Sequence, residues 1–454
     1  MVASSIKVSL FLIILSTVAF FVHRFLYTVP PIPQYEEKWW GLEESKKVDK
    51  SIRPFKINMS QEDLQDLNYR LKHTLPFQRP LEGVKQHYGM NTNLLKNITE
   101  FWRTNYNWKE RETFFNQYPH YLVNIQGLDV HFVHIKPKVS TSIKVLPLIM
   151  LHGWVGSIRE FYDIVPLLTA PQEGRDFVFE LIIPSLPGFG FSEATNKPGL
   201  GAFHMAVILK NLMLKIGHQK FYLHGTDWGS VIAQYMSVLF PQHIIAFHSN
   251  FCVIDTALSN LKLFIYNLYP SLFVNKLEEE IMFPLSKRYT YFLVESGYFH
   301  IQATKPDTIG VALRESPTGL AAYLLEKFVT LTNTTYKDLE DGGLTEKYTY
   351  TQLLDNIMVY WMSRSITTSM RIYAELFHED NRGKLRLERI PINVPTGCAR
   401  FRYEVMFFSE DILKEKYPNL IHLTYYEGGH FPALETPTVL AKDIYTFIEK
   451  TFNN

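Results

Sequence analysis

The sequence predicts an α/β protein with a mostly parallel sheet covered by helices on both faces, and three observations support this. Short apolar runs alternate in part with helical stretches, a pattern typical of a doubly covered parallel sheet. A long helical block rich in Leu, Tyr and Phe then interrupts the pattern, as expected of a lid over the carboxyl edge of the sheet. Strand-like runs return afterwards and a last helix closes the chain. The predicted strands are 145–151, 180–183, 221–223, 244–247, 392–394 and 420–425, and the clearest helices are 203–216, 230–240 and 437–450.

Ahead of this pattern lies a leading segment with two helical stretches, at 61–71 and 93–106. The sequence at 121–135 is typical of a β-hairpin, because two strand-like runs flank a Gln-Gly pair. We therefore divide the chain into five parts, namely an anchor (1–27), a leading segment (28–118), the first part of the core (119–254), the lid (255–385) and the second part of the core (386–454).

Composition excludes several classes of protein. The 454 residues include 46 Lys plus Arg and 45 Asp plus Glu, so the net charge is +1, and 46% of the residues are hydrophobic. This is too apolar for disorder and gives no general attraction for nucleic acid. Cys252 and Cys398 are too few for a disulfide framework, and no Cys/His cluster has zinc-ligand spacing. The aromatic content of 15% fits a ring-lined cavity or a large aromatic core.

The first residues predict a membrane anchor. Residues 8–22 carry no charge and are flanked by Lys7 and Arg24; with those two side chains at the interfaces the stretch approaches the roughly 17–20 residues a spanning helix needs. A cleaved signal peptide is the alternative, but bulky residues follow Val22 where a small-residue cleavage site would lie. The flanking charges do not decide the topology. The low cysteine count favours a globular part in the cytosol, where the acceptor sequences at Asn58, Asn97 and Asn333 would go unused.

The strongest motif is Gly-Thr-Asp-Trp-Gly at 225–229. It follows a strand-like run and opens a helix, which is the strand–turn–helix context of a nucleophile elbow with Asp227 at the position usually held by Ser. A simple turn with an Asp helix cap is the structural alternative. A carboxylate is ionised at neutral pH and attacks without a base, so an sp³ carbon bearing a leaving group is its natural target. The resulting ester then needs a water, a general base and an oxyanion site.

Residues for that second step occur in the order nucleophile, acid, histidine. His430 lies in a Gly-Gly loop just before the terminal helix, and the backbone amides of Trp154 and Trp228 are candidate oxyanion donors. His152, beside Trp154, is expected to be structural. The acid that orients His430 should follow the preceding strand, and spacing alone does not choose among the candidates there, which are Glu404, Glu410 and Asp411.

Taken together, these motifs resemble those of the microsomal epoxide hydrolases, and most of all the insect juvenile hormone epoxide hydrolases. The similarity runs nearly end to end and includes the anchor. The segments that carry it are 39–41 (Trp-Trp-Gly), 51–55 (Ser-Ile-Arg-Pro-Phe), 152–154 (His-Gly-Trp), 187–192 (Pro-Gly-Phe-Gly-Phe-Ser), 227–229 (Asp-Trp-Gly), 304–307 (Thr-Lys-Pro-Asp) and 428–431 (Gly-Gly-His-Phe).

The resemblance implies an α/β-hydrolase fold and assigns residues that spacing leaves open. The segments 394–404, 295–302 and 369–373 resemble those carrying the acid and two lid tyrosines, which implies Glu404, Tyr298 and Tyr373. In the implied reaction, the phenols donate hydrogen bonds to the epoxide oxygen, Asp227 attacks a ring carbon, and His430 activates a water that hydrolyses the ester to a vicinal diol. The resemblance implies no cofactor or metal, a lipophilic epoxide (juvenile hormone or a foreign epoxide) as substrate, and single-pass anchoring in the endoplasmic reticulum.

The sequence departs from the family at two positions. Val155 stands where the family usually has Pro, in a peptide expected to be cis, and Thr226 stands where Gly is usual. Thr226 should be tolerated. If Val155 displaced the Trp154 amide, the loss of an oxyanion donor would slow ester hydrolysis by on the order of 10²–10³, so we expect slow turnover with accumulation of the alkyl-enzyme.

Two other functions remain open from the sequence. A haloalkane dehalogenase has a similar elbow, acid and histidine, but it needs halide-binding donors rather than paired phenols and normally lacks an anchor. A catalytically silent lipid-binding protein is the alternative from another class, and Val155 is its only support.

Overall fold

The structure, a computed structural model, describes residues 2–42, 48–378 and 386–452, with side chains from residue 10 onward. Within these residues one sheet of nine strands runs in the order β1-β2-β3-β5-β4-β6-β7-β8-β9. The strands are β1 (Arg53–Phe55), β2 (His120–Ile125), β3 (Leu128–Ile135), β4 (Lys144–Leu151), β5 (Phe177–Pro184), β6 (Phe221–Gly225), β7 (Ile244–Ser249), β8 (Thr396–Phe401) and β9 (Leu420–Tyr426).

Helices precede, flank and interrupt this sheet. The leading part contains α1 (Val2–Tyr27), α2 (Gln61–Lys72), α3 (Thr92–Thr104) and α4 (Trp108–Phe115), and the first part of the core adds α5 (Val165–Thr169), α6 (Ala202–Ile216) and α7 (Asp227–Leu239). Between β7 and β8 lie α8 (Ala257–Leu268), α9 (Lys276–Met282), α10 (Leu285–Glu295), α11 (Gly297–Thr304), α12 (Pro306–Glu315), α13 (Pro317–Thr332), α14 (Tyr350–Ser363) and α15 (Ile366–Glu375). The chain ends with α16 (Glu410–Lys416), α17 (Pro432–Glu435) and α18 (Pro437–Thr451).

The parallel part of the sheet forms the predicted core. All pairings from β5 through β4, β6, β7 and β8 to β9 are parallel, and β1, β2 and β3 add an antiparallel edge. Every residue of β6 is buried, which requires cover on both faces because successive side chains point to opposite sides. Helix α7 packs on β4, β6 and β7, and α18 packs on β7, β8 and β9. The predicted fold class, the hairpin (β2–β3) and the predicted α6 and α18 are confirmed.

The inserted helices sit on the core through a buried ionic cluster. Asp355 of α14 is fully buried and accepts hydrogen bonds from Arg159 at 3.0 Å, from Arg111 at 2.8 Å and from the Tyr106 hydroxyl at 3.0 Å. Arg159 belongs to the core, whereas Arg111 and Tyr106 belong to the leading segment. One lid carboxylate thus joins three parts of the chain. The proposed lid boundary at 385 lies outside the described residues, so the five-part division stays a prediction there.

The two cysteines form a bond that the sequence did not predict. Cys252, just after β7, and Cys398 in β8 are joined in a disulfide with a Cα–Cα distance of 6.0 Å. Because β7 and β8 are paired neighbours, Ser249 opposes Cys398 and the loop after β7 brings Cys252 back to it. A single bond is no disulfide framework, but because both cysteines are paired their low number no longer favours the cytosol, where disulfides are rare.

Candidate active site

The nucleophile elbow lies between β6 and α7, as the motif indicated. Asp227 has φ of +48°, a left-handed conformation that a non-glycine residue adopts only where the surroundings enforce it. The flanking glycines are required by space. A Cβ on Gly225 would lie 2.6 Å from the Gly229 carbonyl oxygen, and a Cβ on Gly229 would lie 2.1 Å from that of Leu151. The sharp turn projects the Asp227 carboxylate above the carboxyl edge of the sheet.

The loop after β4 delivers one hydrogen bond to this carboxylate. The Trp154 amide donates to Asp227 Oδ1 at 2.8 Å, and Gly153 beside it leaves no room for a Cβ, which would lie 2.0 Å from the same oxygen. Lid helix α14 holds the loop, because Asn356 donates to the Val155 carbonyl at 2.8 Å and the Tyr360 hydroxyl to the Gly156 carbonyl at 2.7 Å.

The Trp154–Val155 peptide is cis. The Trp154 amide is hydrogen-bonded to Asp227, so the displacement considered from the sequence is not observed and the expectation of slow ester hydrolysis loses its support. Trp228 follows Asp227 in the first turn of α7, and its amide as the second oxyanion donor stays a prediction. His152 fits its expected structural role, because burial lowers its pKa to about 4 and its Nε2 accepts the Leu186 amide.

His430 lies between two carboxylates, Asp227 and Glu404. Its Nδ1 is 2.6 Å from Glu404 Oε1, and its Nε2 is 3.5 Å from Asp227 Oδ2. The loop after β9 reaches this position because Gly429 passes against the backbone of Leu331 and Thr332, where a Cβ would lie 2.3 Å from the Thr332 carbonyl oxygen. The His430 amide also donates to the Leu331 carbonyl at 3.0 Å.

Of the three candidate acids, Glu404 is the one placed at the histidine. Its Oε1 accepts both from His430 and from the Val405 amide at 2.7 Å, and its side chain is buried. Glu410 and Asp411 begin α16 and are exposed. Asp411 instead pairs with Lys262 and accepts from the Tyr266 hydroxyl.

The charges around His430 favour its protonated form. Burial lowers its pKa, but the adjacent Glu404 and Asp227 carboxylates outweigh burial and raise the pKa well above its ordinary value. An ester at Asp227 would remove one of these two charges. The pKa of His430 should then fall, which frees Nε2 to accept a proton at the stage where a base is needed.

The two lid tyrosines contact each other and the tryptophans on either side of Asp227. Tyr298 of α11 stacks on the Trp154 indole, with ring centroids 5.4 Å apart and planes at 10°, and Tyr373 of α15 contacts Tyr298 edge-on at 6.1 Å. Tyr373 also packs edge-on against Trp228 at 4.9 Å. Burial first, and then neighbouring charges that include Asp227, raise the pKa of both phenols above the ordinary value. Both hydroxyls are therefore hydrogen-bond donors at neutral pH.

Two further carboxyl groups belong to this site and were not found from the sequence. Glu435 of α17 accepts from the Gly429 amide at 2.7 Å and the Phe431 amide at 2.8 Å, which fixes the loop on either side of His430. Glu160 is buried beside Gly156, where its Oε1 accepts no hydrogen bond from the described residues. Burial raises the pKa of Glu160 to about 8 and that of Glu435 to about 7. Glu435 follows His430 by five residues across a loop, and this spacing is too weak a sequence signal to have identified Glu435.

The sheet, the elbow after β6 and the helical insertion define an α/β-hydrolase fold. Comparison with protein families agrees: residues 52–161 match the family described as "Epoxide hydrolase N terminus", and residues 147–267 match "alpha/beta hydrolase fold". The crystal structure of juvenile hormone epoxide hydrolase from the silkworm Bombyx mori superimposes with a TM-score of 0.90 at 45% identity, covering 92% of this chain and 99% of that chain.

Sequence comparison identifies relatives in the same family. Juvenile hormone epoxide hydrolase 2 of Ctenocephalides felis is 53% identical over 93% of this chain and 90% of its own length. Epoxide hydrolase 1 of Oryctolagus cuniculus is 43% identical over 91% of this chain and 92% of its own length. The chain belongs to the epoxide hydrolase family that contains the insect juvenile hormone epoxide hydrolases and mammalian epoxide hydrolase 1, and the resemblance inferred from its motifs is confirmed.

Proposed function

We propose that this epoxide hydrolase opens lipophilic epoxides through an ester of Asp227 and releases vicinal diols. The observation that carries the proposal is that different groups contact the two oxygens of one carboxylate, Asp227. Oδ1 of Asp227 is held by the Trp154 amide, Oδ2 faces His430, and two protonated phenols lie above it. This arrangement offers a nucleophile and an acid at the same time.

In the first step, Oδ2 of Asp227 attacks an epoxide carbon. A carbon–oxygen bond forms to the carboxylate, the ring carbon–oxygen bond breaks, and its electron pair goes to the epoxide oxygen. Tyr298 and Tyr373 hydrogen-bond to this oxygen and one of them supplies the proton. Stabilising charge as it develops is the largest contribution that such donors make to rate.

In the second step, the ester is hydrolysed. His430, held by Glu404 and relieved of the Asp227 charge, takes a proton from a water that attacks the ester carbonyl carbon. The oxyanion forms on Oδ1, where the Trp154 amide already donates and the Trp228 amide is expected to join it. The tetrahedral intermediate collapses, and the leaving alkoxide takes the proton held by His430 and departs as the diol. The carboxylic acid left at Asp227 gives its proton back to the phenolate formed in the first step, which restores both Asp227 and the tyrosine.

The substrate class follows from the lining of the site and from the relatives. Tyr298, Tyr373, Tyr323 and Trp154 pack their rings together above Asp227, which suits an apolar epoxide. Insect relatives of this chain, in Ctenocephalides felis and Manduca sexta, are juvenile hormone epoxide hydrolases. We propose juvenile hormone as one substrate and apolar foreign epoxides as the other class.

The proposed location is the endoplasmic reticulum membrane, with α1 as a single-pass anchor. Among the described helices, one is long and apolar enough to cross a membrane, at Leu10–Tyr27. A cytosolic body was expected from the cysteine count, but the Cys252–Cys398 disulfide weighs for the luminal side. A luminal body should carry glycans at the exposed Asn58 and Asn97, and their removal by a glycosidase should lower its mass; an unchanged mass together with free thiols places the body in the cytosol.

A single-turnover experiment tests the mechanism. The enzyme in excess is incubated in ¹⁸O-water with juvenile hormone or, separately, with styrene oxide, and its peptides are then weighed. We expect one ¹⁸O in Asp227 and unlabelled diol, because water attacks the ester carbonyl rather than the epoxide. Label in the diol after a first turnover would exclude the ester. A chloroalkane serves as the second substrate, and halide release without any diol from either epoxide would indicate a dehalogenase. A lipid-binding protein would give no diol with wild type, whereas an enzyme gives diol that Asp227→Ala abolishes.

A further inference from the structure

One side of the lid exposes an apolar surface that the site does not use. Leu261, Phe264, Ile265 and Leu268 recur at the spacing of one helical face of α8, and Phe264 and Leu268 are 62% and 59% exposed. The turn after α8 adds Leu272 and helix α10 adds Leu293, which are 73% and 83% exposed, and these six side chains are here called the apolar lid face. Exposed apolar side chains grouped in this way are typical of an interaction site.

The helix that carries most of the apolar lid face is anchored in the protein. The opposite side of α8 is anchored in the protein through Leu263 and Tyr266, which are buried. Asn267 near the end of α8 accepts a hydrogen bond from the Leu285 amide at 2.8 Å, which ties α8 to the start of α10. The exposed side chains are therefore presented by a fixed scaffold.

The position of α1 indicates what covers this face. Helix α1 packs beside α8, and Arg389 holds the end of α1 by donating to the carbonyl oxygens of Phe25 at 2.5 Å and Thr28 at 2.9 Å. The Leu10–Tyr27 span itself is not buried in the protein. A bilayer that contains this span starts where α1 leaves the body, which is the level of α8.

We propose that the apolar lid face lies in the membrane interface beside α1, as a second contact between the enzyme and the bilayer. The proposal rests on the anchor in the proposed function. The exposed residues of α9 and α10 include charges of both signs, such as Glu280 and Lys287, so the proposed contact depends on apolar burial rather than on anionic lipid. Phosphatidylcholine vesicles are therefore the proper probe.

A cavity lined by α10 of the lid reaches Glu404, the residue that hydrogen-bonds to His430. The cavity, of about 600 Å³, lies beneath α10, and its lining includes the exposed Val294, the aromatic Phe283 and Tyr291, and Glu404. Val294 follows the exposed Leu293 on α10 and is itself 60% exposed, so with the lid face in the bilayer this part of the cavity lining meets lipid. An epoxide dissolved in the membrane then reaches the lid without passing through water.

Depth measurements on the full chain test the contact directly. The two native cysteines are joined, so one added cysteine is the single thiol to label with an environment-sensitive fluorophore. Labels go on Phe264→Cys and Leu268→Cys, with Leu75→Cys in the leading segment as a matched control because Leu75 is 82% exposed, and Ile14→Cys reporting on the anchor. In vesicles containing brominated phosphatidylcholine, we expect quenching at 264 and 268 to be several-fold stronger than at 75.

Each other outcome overturns the proposal. If the label at position 14 is quenched while the labels at positions 264 and 268 are quenched no more than the control at position 75, the anchor is in the membrane but the lid does not touch it. No quenching at 14 removes the anchor and the proposal with it. Protection of 264 and 268 from an aqueous quencher without quenching by bromolipid shows a protein partner, including a second copy of this chain. None of these readouts depends on epoxide hydrolysis, so they separate this proposal from the proposed function.

Kinetics give a second, independent readout. Phe264→Glu/Leu268→Glu should raise the apparent KM for a membrane-partitioned epoxide several-fold and leave kcat unchanged. A short water-soluble epoxide should show neither change, which also reports that the variant is folded. Equal KM values for the membrane-partitioned epoxide in wild type and variant would contradict the proposal.

Discussion

His430 Nδ1 lies 2.6 Å from Glu404 Oε1, a separation typical of a strong charge-assisted hydrogen bond. Both partners are buried, and the bond fixes which ring nitrogen faces Asp227. In the proposed mechanism this leaves Nε2 for the attacking water, and it ties the proposed base to an acid that follows a different strand. The consequence is that the two chemical steps depend on different residues and can be separated by substitution.

Glu404→Gln should slow the second step and spare the first. The amide keeps the shape of the side chain but removes the charge that supports an imidazolium, so we expect ester hydrolysis to fall by about 10²–10⁴ while alkylation of Asp227 persists. Rapid-quench mass spectrometry should then find the alkyl-enzyme accumulating. Glu410→Gln is the matched control, because Glu410 is exposed on the adjacent helix. Wild-type turnover in Glu404→Gln would show that this acid has no part in orienting His430.

Tyr298→Phe and Tyr373→Phe should slow the first step. Each removes one donor to the developing alkoxide and keeps the ring that packs on Trp154 or Trp228, so we expect alkylation rates to fall about tenfold or more for each, and further for the pair. The measurement is single-turnover formation of the Asp227 adduct. Tyr323→Phe is the control, since Tyr323 also contacts Trp154 but its hydroxyl accepts from Gln302 at 3.2 Å. If all three variants alkylated alike, the lid phenols would have no role in ring opening.

Some of this site could be predicted from sequence and some could not, for physical reasons. The elbow was predictable because only glycine fits at positions 225 and 229. A Cβ at these positions would lie 2.6 and 2.1 Å from backbone carbonyl oxygens, so the two glycines occur at a fixed spacing around Asp227. Glu404 and the two tyrosines came from resemblance, since any of several nearby carboxylates and 26 tyrosines could serve on spacing alone.

The residues that were missed depend on tertiary contacts that leave no local pattern. Glutamate is usually ionised and exposed, but Glu160 is buried and its raised pKa keeps it protonated. Glu435 accepts hydrogen bonds from two backbone amides of the loop that carries His430. The disulfide escaped because Cys252 and Cys398 are 146 residues apart and meet only through the pairing of β7 with β8. The lid was predictable as a block of helices, but which of its faces meets the membrane depends on how α1 packs.

Glu160→Gln should change the pH dependence of stability. Burial raises the pKa of Glu160 from 4.5 to about 8 in the folded state, so between these values the folded protein holds a proton that the unfolded chain has released. Stability therefore falls as pH rises through this window, by at most about 1.4 kcal/mol per pH unit from this group, and the loss is complete above pH 8. The variant lacks this titration, so its melting temperature relative to wild type should rise from pH 5 to pH 8. The exposed Glu410→Gln should give a constant difference, and a constant difference for Glu160→Gln as well would mean that Glu160 is ionised in the fold.

Cys252→Ser/Cys398→Ser should destabilise the fold without altering the catalytic steps. The disulfide closes a loop of 146 residues between a point after β7 and strand β8, and constraining the unfolded chain over such a length is worth about 3–5 kcal/mol. Neither cysteine is among the residues proposed to react, so single-turnover rates at low temperature should match wild type. Thermal unfolding of the two proteins in detergent, each with and without reductant, provides the measurement. Wild type should melt lower with reductant while the double variant should not change. Equal melting temperatures for non-reduced wild type and the double variant would contradict this prediction. The bond would then either contribute nothing to stability or be absent from the purified enzyme. Counting free thiols under denaturing conditions distinguishes these two explanations.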